Sequence, residues 1–421
     1  MSRRALVPTA LVLGLLVPAL PAGATTPGAS VPANAADGPW AGRSPEAVAV
    51  TARFAISRDD GNDVKGDLDL ASMKISRGKS KDTLAFSTHD PVSNASIDPD
   101  NGNFVALIDT NQDDRFDFGQ YVFFASGRLR GVLLDLRTSR VVDRTAPASR
   151  SSATAFRTSI VRSKIDSPGT YRFVLFAYSE AGACSRRNPC VDTIPNRGPM
   201  IALDHRAPTA TADPMERYAG DVRSGLTSPL TFRVADDPFG TGVKRWTVQR
   251  RAVGGANWVD VRSGSTKNTT VSVPGAQGQT YDVRVLVVDK QKNTGVSSTR
   301  RTTFPFDDRN AAIAYAGVTV PNAPAGAFLT TTTSLELGAT ATLSFTGAAR
   351  FCVMGGPVAA GLSATADLVI DTVSMGTATE DDTTPARERV LCVDVGAGAH
   401  TAVLTGSSAV PFELDGLYVA R

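Results

Sequence analysis

The stretch Asp109-Thr-Asn-Gln-Asp-Asp-Arg-Phe-Asp117 offers oxygen donors at nearly every second residue. Counting Asp109 as position one, Asn111 and Asp113 stand at three and five. Arg115 at seven can lend its backbone carbonyl, and Asp117 stands at nine. Calcium takes about six to eight hard oxygens on a tight turn, and this spacing supplies most of them. Two positions depart from a strong calcium loop: Asp114 sits where glycine is usual, at six, and Gln120 where a bidentate glutamate is usual, at twelve. Losing both weakens the expected affinity toward the extracellular range of roughly 0.1–1 mM. The alternative is a polar hairpin turn. A second acidic segment, Asp59-Asp-Gly-Asn-Asp-Val-Lys-Gly-Asp-Leu-Asp-Leu70, admits either a second ion or a solvated loop with Leu68 and Leu70 packing inward; the solvated loop is favoured. Asp98-Pro-Asp-Asn-Gly-Asn103 reads as a turn.

Catalytic constellations are weak. His89 falls in a polar loop, His205 near a module junction and His400 in a strand-like run. None belongs to an HExxH helix, and no Gly-x-Ser-x-Gly elbow, phosphate loop or dinucleotide fingerprint occurs. Paired aspartates could in principle hydrolyse glycosides, but nothing singles out an acid and a nucleophile among so many turn aspartates.

The elements that position these residues are strands. Gly, Pro, Thr, Val and Asp are plentiful and long helical patterns are missing, which predicts an all-β chain. Charged residues make up 20% and the formal net charge is +3, too balanced for a dedicated nucleic-acid binder. Met1 to Ala24 has a basic head, an apolar run and a small-residue end, so residues 1–24 read as a secretory signal. Arg3-Arg4 matches a twin-arginine signal only in part, and no Cys at the cleavage point suggests a lipoprotein. Pro8 and Pro18 break the apolar run, which argues against an anchor, and no later run is long and apolar enough to span a bilayer. The expected location is extracellular, in an oxidising place, with release as the default and retention through binding as the alternative.

The cysteines agree with that compartment. Cys184 and Cys190 are neighbours, as are Cys352 and Cys392 within the last third. Four cysteines allow three pairings; domain locality favours Cys184–Cys190 and Cys352–Cys392, contributing roughly 2 and roughly 4 kcal/mol in the chain-entropy model. Free buried thiols are the poorer alternative for an exported protein. No CxxC pair is present to suggest thiolate zinc.

Residues 25–44 are rich in Pro, Ala and Gly and read as a flexible lead-in. Residues 45–205 read as a first β-sandwich, with Thr170 to Tyr178 as its doubly buried central strand and Val141 to Thr154 as a polar surface excursion. Residues 206–304 carry turn signals every eight to twelve positions, as an Ig-like sandwich needs. Residues 305–421 hold recurring strand-like runs and read as a third sandwich.

Four resemblances attach to particular residues. Trp246-Thr-Val-Gln-Arg-Arg, Trp258 and Thr280-Tyr-Asp-Val-Arg-Val-Leu-Val-Val-Asp289 resemble a fibronectin type III module, although Lys290 to Gly295 departs from the usual final turn. This implies a spacer or binding module, with Tyr281 as the tyrosine corner. Gly396-Ala-Gly-Ala-His-Thr and Leu414-Asp-Gly-Leu-Tyr-Val419 resemble the closing strands of carbohydrate-binding jelly-rolls, and Asp307-Asp-Arg to Tyr315 resembles their opening in secreted actinobacterial proteins. The acidic entry ending in Leu68-Asp-Leu70 resembles sandwiches related to the DOMON and family-9 carbohydrate-binding folds, and the Asp109 loop resembles the calcium loops of extracellular β-domains. A sugar platform in the last module would draw on Tyr315, Phe328, Phe351 or Tyr418, each more easily a core residue, as are Trp246 and Trp258 in the middle module.

The sequence thus predicts three β-sandwich modules in series. The chain reads as a secreted, non-catalytic protein, calcium-stabilised through Asp109, Asn111, Asp113, Arg115 and Asp117, that docks on an extracellular polysaccharide or cell surface. An accessory or degenerate carbohydrate-active hydrolase is the alternative.

Overall fold

A computed structural model describes residues 55–64, 67–97, 102–165, 169–180, 184, 190–196, 200–222, 225–238, 240–347 and 350–421. The expected leader and lead-in lie outside the described residues. Apart from a four-residue helical turn, Ala219–Val222, and two short 3-10 turns, the regular structure is β.

In the first module the strands are β1 Ala55–Asp59, β2 Leu70–Arg77, β3 Lys81–Thr88, β4 Gly102–Asp109, β5 Phe118–Ala125, β6 Arg128–Asp135, β7 Arg140–Ala146, β8 Ala148–Arg150, β9 Ala155–Val161, β10 Thr170–Ser179, β11 Cys190–Ile194 and β12 Ile201–Asp204. One sheet runs β1-β2-β3-β9-β8 and the other β11-β10-β4-β5-β6-β7, with β12 also paired to β10. Alternation decides which face is buried: along β3, Leu84 and Phe86 point inward while Thr83, Ala85 and Ser87 are partly exposed. Phe86, Phe104 and Phe156 meet at ring distances of 4.9–5.5 Å at the centre of this core. Strand β10 is central and buried along most of its length, as its apolar run predicts. Residues 141–154 differ from expectation. They form β7 and β8, because the chain crosses here from one sheet to the other and both edges accept a further strand.

The middle module contributes β13 Thr209–Ala212, β14 Thr227–Ala235, β15 Val243–Ala252, β16 Val259–Gly264, β17 Asn268–Pro274, β18 Thr280–Asp289, β19 Thr294–Val296 and β20 Arg300–Thr303. Sheet β13-β14-β17 packs on β16-β15-β18-β19, where β20 also joins β18. Leu230, Phe232, Trp246, Val248, Val271, Val283 and Val285 fill the space between them. Trp246 is buried as expected, edge-on to Phe232, with its Nε1 donating to the Thr266 carbonyl at 3.0 Å. Tyr281 does not act as a tyrosine corner: its ring packs on Phe304 under the Arg250 guanidinium, and its hydroxyl makes no hydrogen bond among the described residues.

The last module comprises β21 Phe306–Asp307, β22 Ile313–Ala316, β23 Thr319–Asn322, β24 Thr332–Leu335, β25 Thr340–Thr346, β26 Arg350–Gly355, β27 Ser363–Ile370, β28 Val373–Asp381, β29 Glu388–Asp394, β30 Ala399–Gly406, β31 Phe412–Leu414 and β32 Gly416–Ala420. Sheets β21-β32-β26-β29 and β22-β25-β30-β27-β28 enclose a core of Leu343, Phe351, Val353, Leu368, Leu404 and Val419, and β23-β24-β31 closes one end. Both disulfides form, Cys184–Cys190 and Cys352–Cys392. The second joins directly opposed residues of β26 and β29.

Buried charges in the first module are paired. The Asp82 side chain is fully buried, accepting from the Tyr171 hydroxyl at 2.7 Å and lying 2.9 Å from His205 Nε2 and 3.2 Å from an Arg162 nitrogen. Breaking one side of such a set strands the other charge in a poorly solvated place. Asp82→Ala is expected to cost about 3 kcal/mol or more of stability, whereas Asp394→Ala, whose partner Arg350 and own side chain are exposed, should cost less than about 1 kcal/mol. Denaturant unfolding of the two variants checks this.

Candidate functional site

The Asp-rich segment is the tight connection between β4 and β5. Asp109 and Asp117 face each other across it and are buried, while Asn111, Asp113 and Arg115 are exposed. Asp109 Oδ1 accepts from the Gln112 N–H at 2.5 Å, and Oδ2 accepts from the Asp114 N–H at 3.2 Å and from Arg172 Nη2 at 2.5 Å. Asp117 Oδ2 takes the N–H and hydroxyl of Thr110 at 2.8 and 2.6 Å. Its Oδ1 lies 3.7 Å from Arg137. Asn111 and Asp113 each accept a backbone N–H two residues ahead. Asp114, at the glycine position, has φ of 65°, a left-handed conformation that aspartate tolerates better than most side chains. The five expected ligands therefore share one turn, but the two buried carboxylates already bind N–H groups and guanidinium ions. Arg172, from β10, stands where a cation would neutralise Asp109 and Asp114.

Carboxylates converge more closely elsewhere. Among the described residues, Asp204, Asp236 and Asp289 present oxygens within 4.8 Å of one another, and so do Asp60, Asp63 and Asp192. The first group lies where the first and middle modules meet. Asp204 accepts from Thr241 N at 2.9 Å, Asp236 from Gly242 N at 2.6 Å and Asp289 from Asn293 N at 2.8 Å. Arg77 is its counter-ion: the guanidinium reaches the Asp204 carbonyl and donates to Asn293 Oδ1 and the Gln291 carbonyl, each at 2.8 Å. The second group joins the β1–β2 connection to β11. Sequence reasoning identified Asp60 and Asp63 but not Asp192, more than a hundred residues away, because only the packing of the two sheets brings it there.

Two open faces are large enough for a polymer. On the outer side of the five-stranded sheet, Ser57, Lys74, Ala85, Arg157 and Ser149 stand in register across β1, β2, β3, β9 and β8. Asp59, Ser72 and Ser87 form the next row, with the two serine hydroxyls 2.6 Å apart. These rows and Arg150 line a shallow depression of about 500 Å³. A second, of about 520 Å³, is bounded by Phe306, Phe345, His400, Arg421 and the Gly278 turn of the middle module. His400 lies 2.6 Å from Asp371, which raises its pKa, and its ring packs 5.5 Å from Phe345. The aromatics considered for a sugar platform sit elsewhere: Phe328, Phe351 and Tyr418 are core residues, and Tyr315 is half-buried with its hydroxyl donating to the Asp308 carbonyl at 2.6 Å. Trp258, expected in the core, is only half-buried, with the guanidinium groups of Arg251 and Arg284 4.6 and 4.0 Å from its ring centre.

No family model and no curated protein matches the sequence. Solved structures with partial likeness include the FN1–FN3 domains of chicken CNTN1, at 11% identity over 80% of this chain and 91% of that one, with a TM-score of 0.22. A carbohydrate-binding module of the β-sandwich superfamily is similar at 14% identity over 51% of this chain and 98% of that one, with a TM-score of 0.23. A two-domain esterase active on acetylated mannans is similar at 14% identity, with a TM-score of 0.21, over 27% of this chain and 35% of its own. The chain thus spans about a third of the esterase's length. The fold rests on the sheets themselves; likeness of this degree adds nothing to it.

The last module buries acids without a close cation. Glu380 accepts from the Gly356 and Glu413 N–H groups, yet burial raises its pKa to about 8, with the Glu413 and Asp415 charges adding to the effect. Burial likewise raises Asp415 to about 8. The unfolded chain holds these protons only below the ordinary values of 4.5 and 3.8. The folded state therefore binds more protons between those values and about 8, so stability falls as pH rises through that window. Thermal melts of the full chain from pH 5 to 8 are expected to show the last module's transition moving steadily lower, with a shallower slope in Glu380→Gln.

Proposed function

We propose that this chain is an exported binding protein that holds an extracellular polysaccharide or related surface polymer on open sheet faces. The observation that carries the reading is the in-register row Ser57, Lys74, Arg157 and Ser149 on the first module. A hydroxyl-rich, extended ligand suits a shallow face whose donors repeat at strand spacing, and the lysine and arginine favour a polymer that also carries acidic groups. The depression of the last module bounded by Phe306, His400 and Arg421 gives a second footing of the kind that raises avidity when two sites engage one polymer. Two disulfides support an oxidising location, and no helix among the described residues is long and apolar enough to cross a membrane. Calcium reinforcement of the first module belongs to the same reading. The hydrolase alternative gains nothing from Glu380 and Asp415, the two most perturbed carboxyls, since both are buried.

Retention of the full chain on insoluble polysaccharides and isolated cell walls tests the proposal. Wild type should be retained, and Lys74→Ala with Arg157→Ala should weaken retention about tenfold, as expected for about 1.4 kcal/mol of lost contacts. Absence of retention on every polymer, or retention indifferent to both this pair and Phe345→Ala with His400→Ala, overturns it.

A further inference from the structure

The buried acids of the first two modules follow a pattern: Asp82 lies against Arg162, Asp109 against Arg172, and Asp282 against Arg301. Asp204 and Asp289 feel Arg77 electrostatically, and one further group has neither arrangement. Asp60 follows β1, Asp63 lies in the loop after it, Asp69 immediately precedes β2, and Asp192 stands at the centre of β11. Among the described residues, no lysine or arginine pairs with any of the four. The basic side chain nearest the group is His89, whose Nε2 lies 3.3 Å from the Asp60 carbonyl.

Asp69 makes the group unusual. It is 1% exposed, and no N–H or hydroxyl donor reaches either of its carboxylate oxygens; the side chain within hydrogen-bonding reach is the Asp192 carboxylate. Asp60 Oδ2 is likewise buried and unpartnered. Leaving an ionised oxygen without donors in a buried place is costly, so native proteins supply a partner or an ion. Here Asp69 and Asp192 border one void of about 10 Å³, roughly one water-sized body. Asp192 links this void to Asp60 and Asp63, whose oxygens lie within 4.8 Å of its own and of each other, and neighbouring donors fix the three. Leu70 N donates to Asp192 Oδ2 at 2.6 Å, and Asn196 Nδ2 donates to Asp60 Oδ1 at 2.6 Å and to Asp63 Oδ2 at 2.9 Å.

We propose that Asp60, Asp63, Asp69 and Asp192 bind one divalent cation, calcium, which fastens the β1–β2 connection to β11. The donor set is oxygen only, which suits calcium, magnesium or manganese. Four carboxylates in an irregular cage suit calcium, whereas magnesium demands near-octahedral geometry and keeps its waters. A proton shared between the Asp69 and Asp192 carboxylates is the competing way to neutralise the group. The site does not rest on polymer binding; retention on cell walls that persists in chelator leaves it standing.

The test is thermal unfolding of the full chain at pH 7.5 in EDTA, in millimolar calcium and in millimolar magnesium, with calcium stoichiometry measured by equilibrium dialysis. Calcium should raise the first module's transition by about 5 °C or more, magnesium by less, with one ion bound at this site. Asp69→Asn and the milder, exposed Asp63→Asn should abolish the rise and remove that ion, while Asp113→Asn in the β4–β5 turn should leave both. An unmoved transition with no ion bound overturns the proposal. So does an Asp69→Asn protein whose stability in EDTA equals or exceeds wild type while wild type ignores calcium, which would assign the group to a shared proton. A calcium response lost in Asp113→Asn but kept in Asp63→Asn would move the ion to the β4–β5 turn and overturn it equally.

Discussion

Arg77 carries the strongest constraint on how the first two sandwiches sit together. Its guanidinium leaves the end of β2 and reaches the seam where Asp204 at the end of β12, Asp236 after β14 and Asp289 at the end of β18 are gathered. Three carboxylates cannot be buried side by side without a counter-charge. Burial pulls the Arg77 pKa down while Asp289, Asp82 and Asp204 push it back up. The surrounding amides finish the seal: Gln291 bridges Ala202 and Asp204, and Asn293 reaches the Asp204 carbonyl. Without this junction the row of serine, lysine and arginine on the first module would have no fixed bearing to the rest of the chain.

The junction of the middle and last modules uses the same physics with less charge. Thr280 donates to the Val419 carbonyl at 3.4 Å, Arg301 holds the Arg421 carbonyl at 2.9 Å, and Tyr218 meets Tyr418 edge-on at 4.9 Å. Gly278 shows why a glycine occupies that turn. Its φ is 68°, and a side chain there would run into the Phe306 ring. Both junctions are polar seams with small apolar patches, while the large cores stay inside each sandwich.

Local pattern made much of this legible. Alternation along β3, β14 and β27 separates buried from exposed residues as the sequence predicts, since each strand has one face on a core. The disulfide partners could be read from proximity in sequence. What could not be read were meetings across long stretches of chain. Arg172 meets Asp109 through β-pairing, and Asp192 meets Asp60 and Asp63, as Asp82 meets His205, through packing of one sheet on the other; none of these residues carries a local signal. At the Asp109 turn the spacing is that of a cation loop, and the arginine beside it comes from a strand 63 residues further on. Trp258 departs from expectation because arginines on the same sheet supply a stacking surface in place of a core.

Trp246 and Trp258, the only tryptophans among the described residues, belong to the same sandwich, one sealed beside Phe232 and one shelved between arginines. Indole emission from this pair therefore follows one bead of the string and is blind to the other two. The step this pair registers in a fluorescence melt is the middle sandwich's own, where calorimetry, sensing all three separate cores, records the sum of their heats.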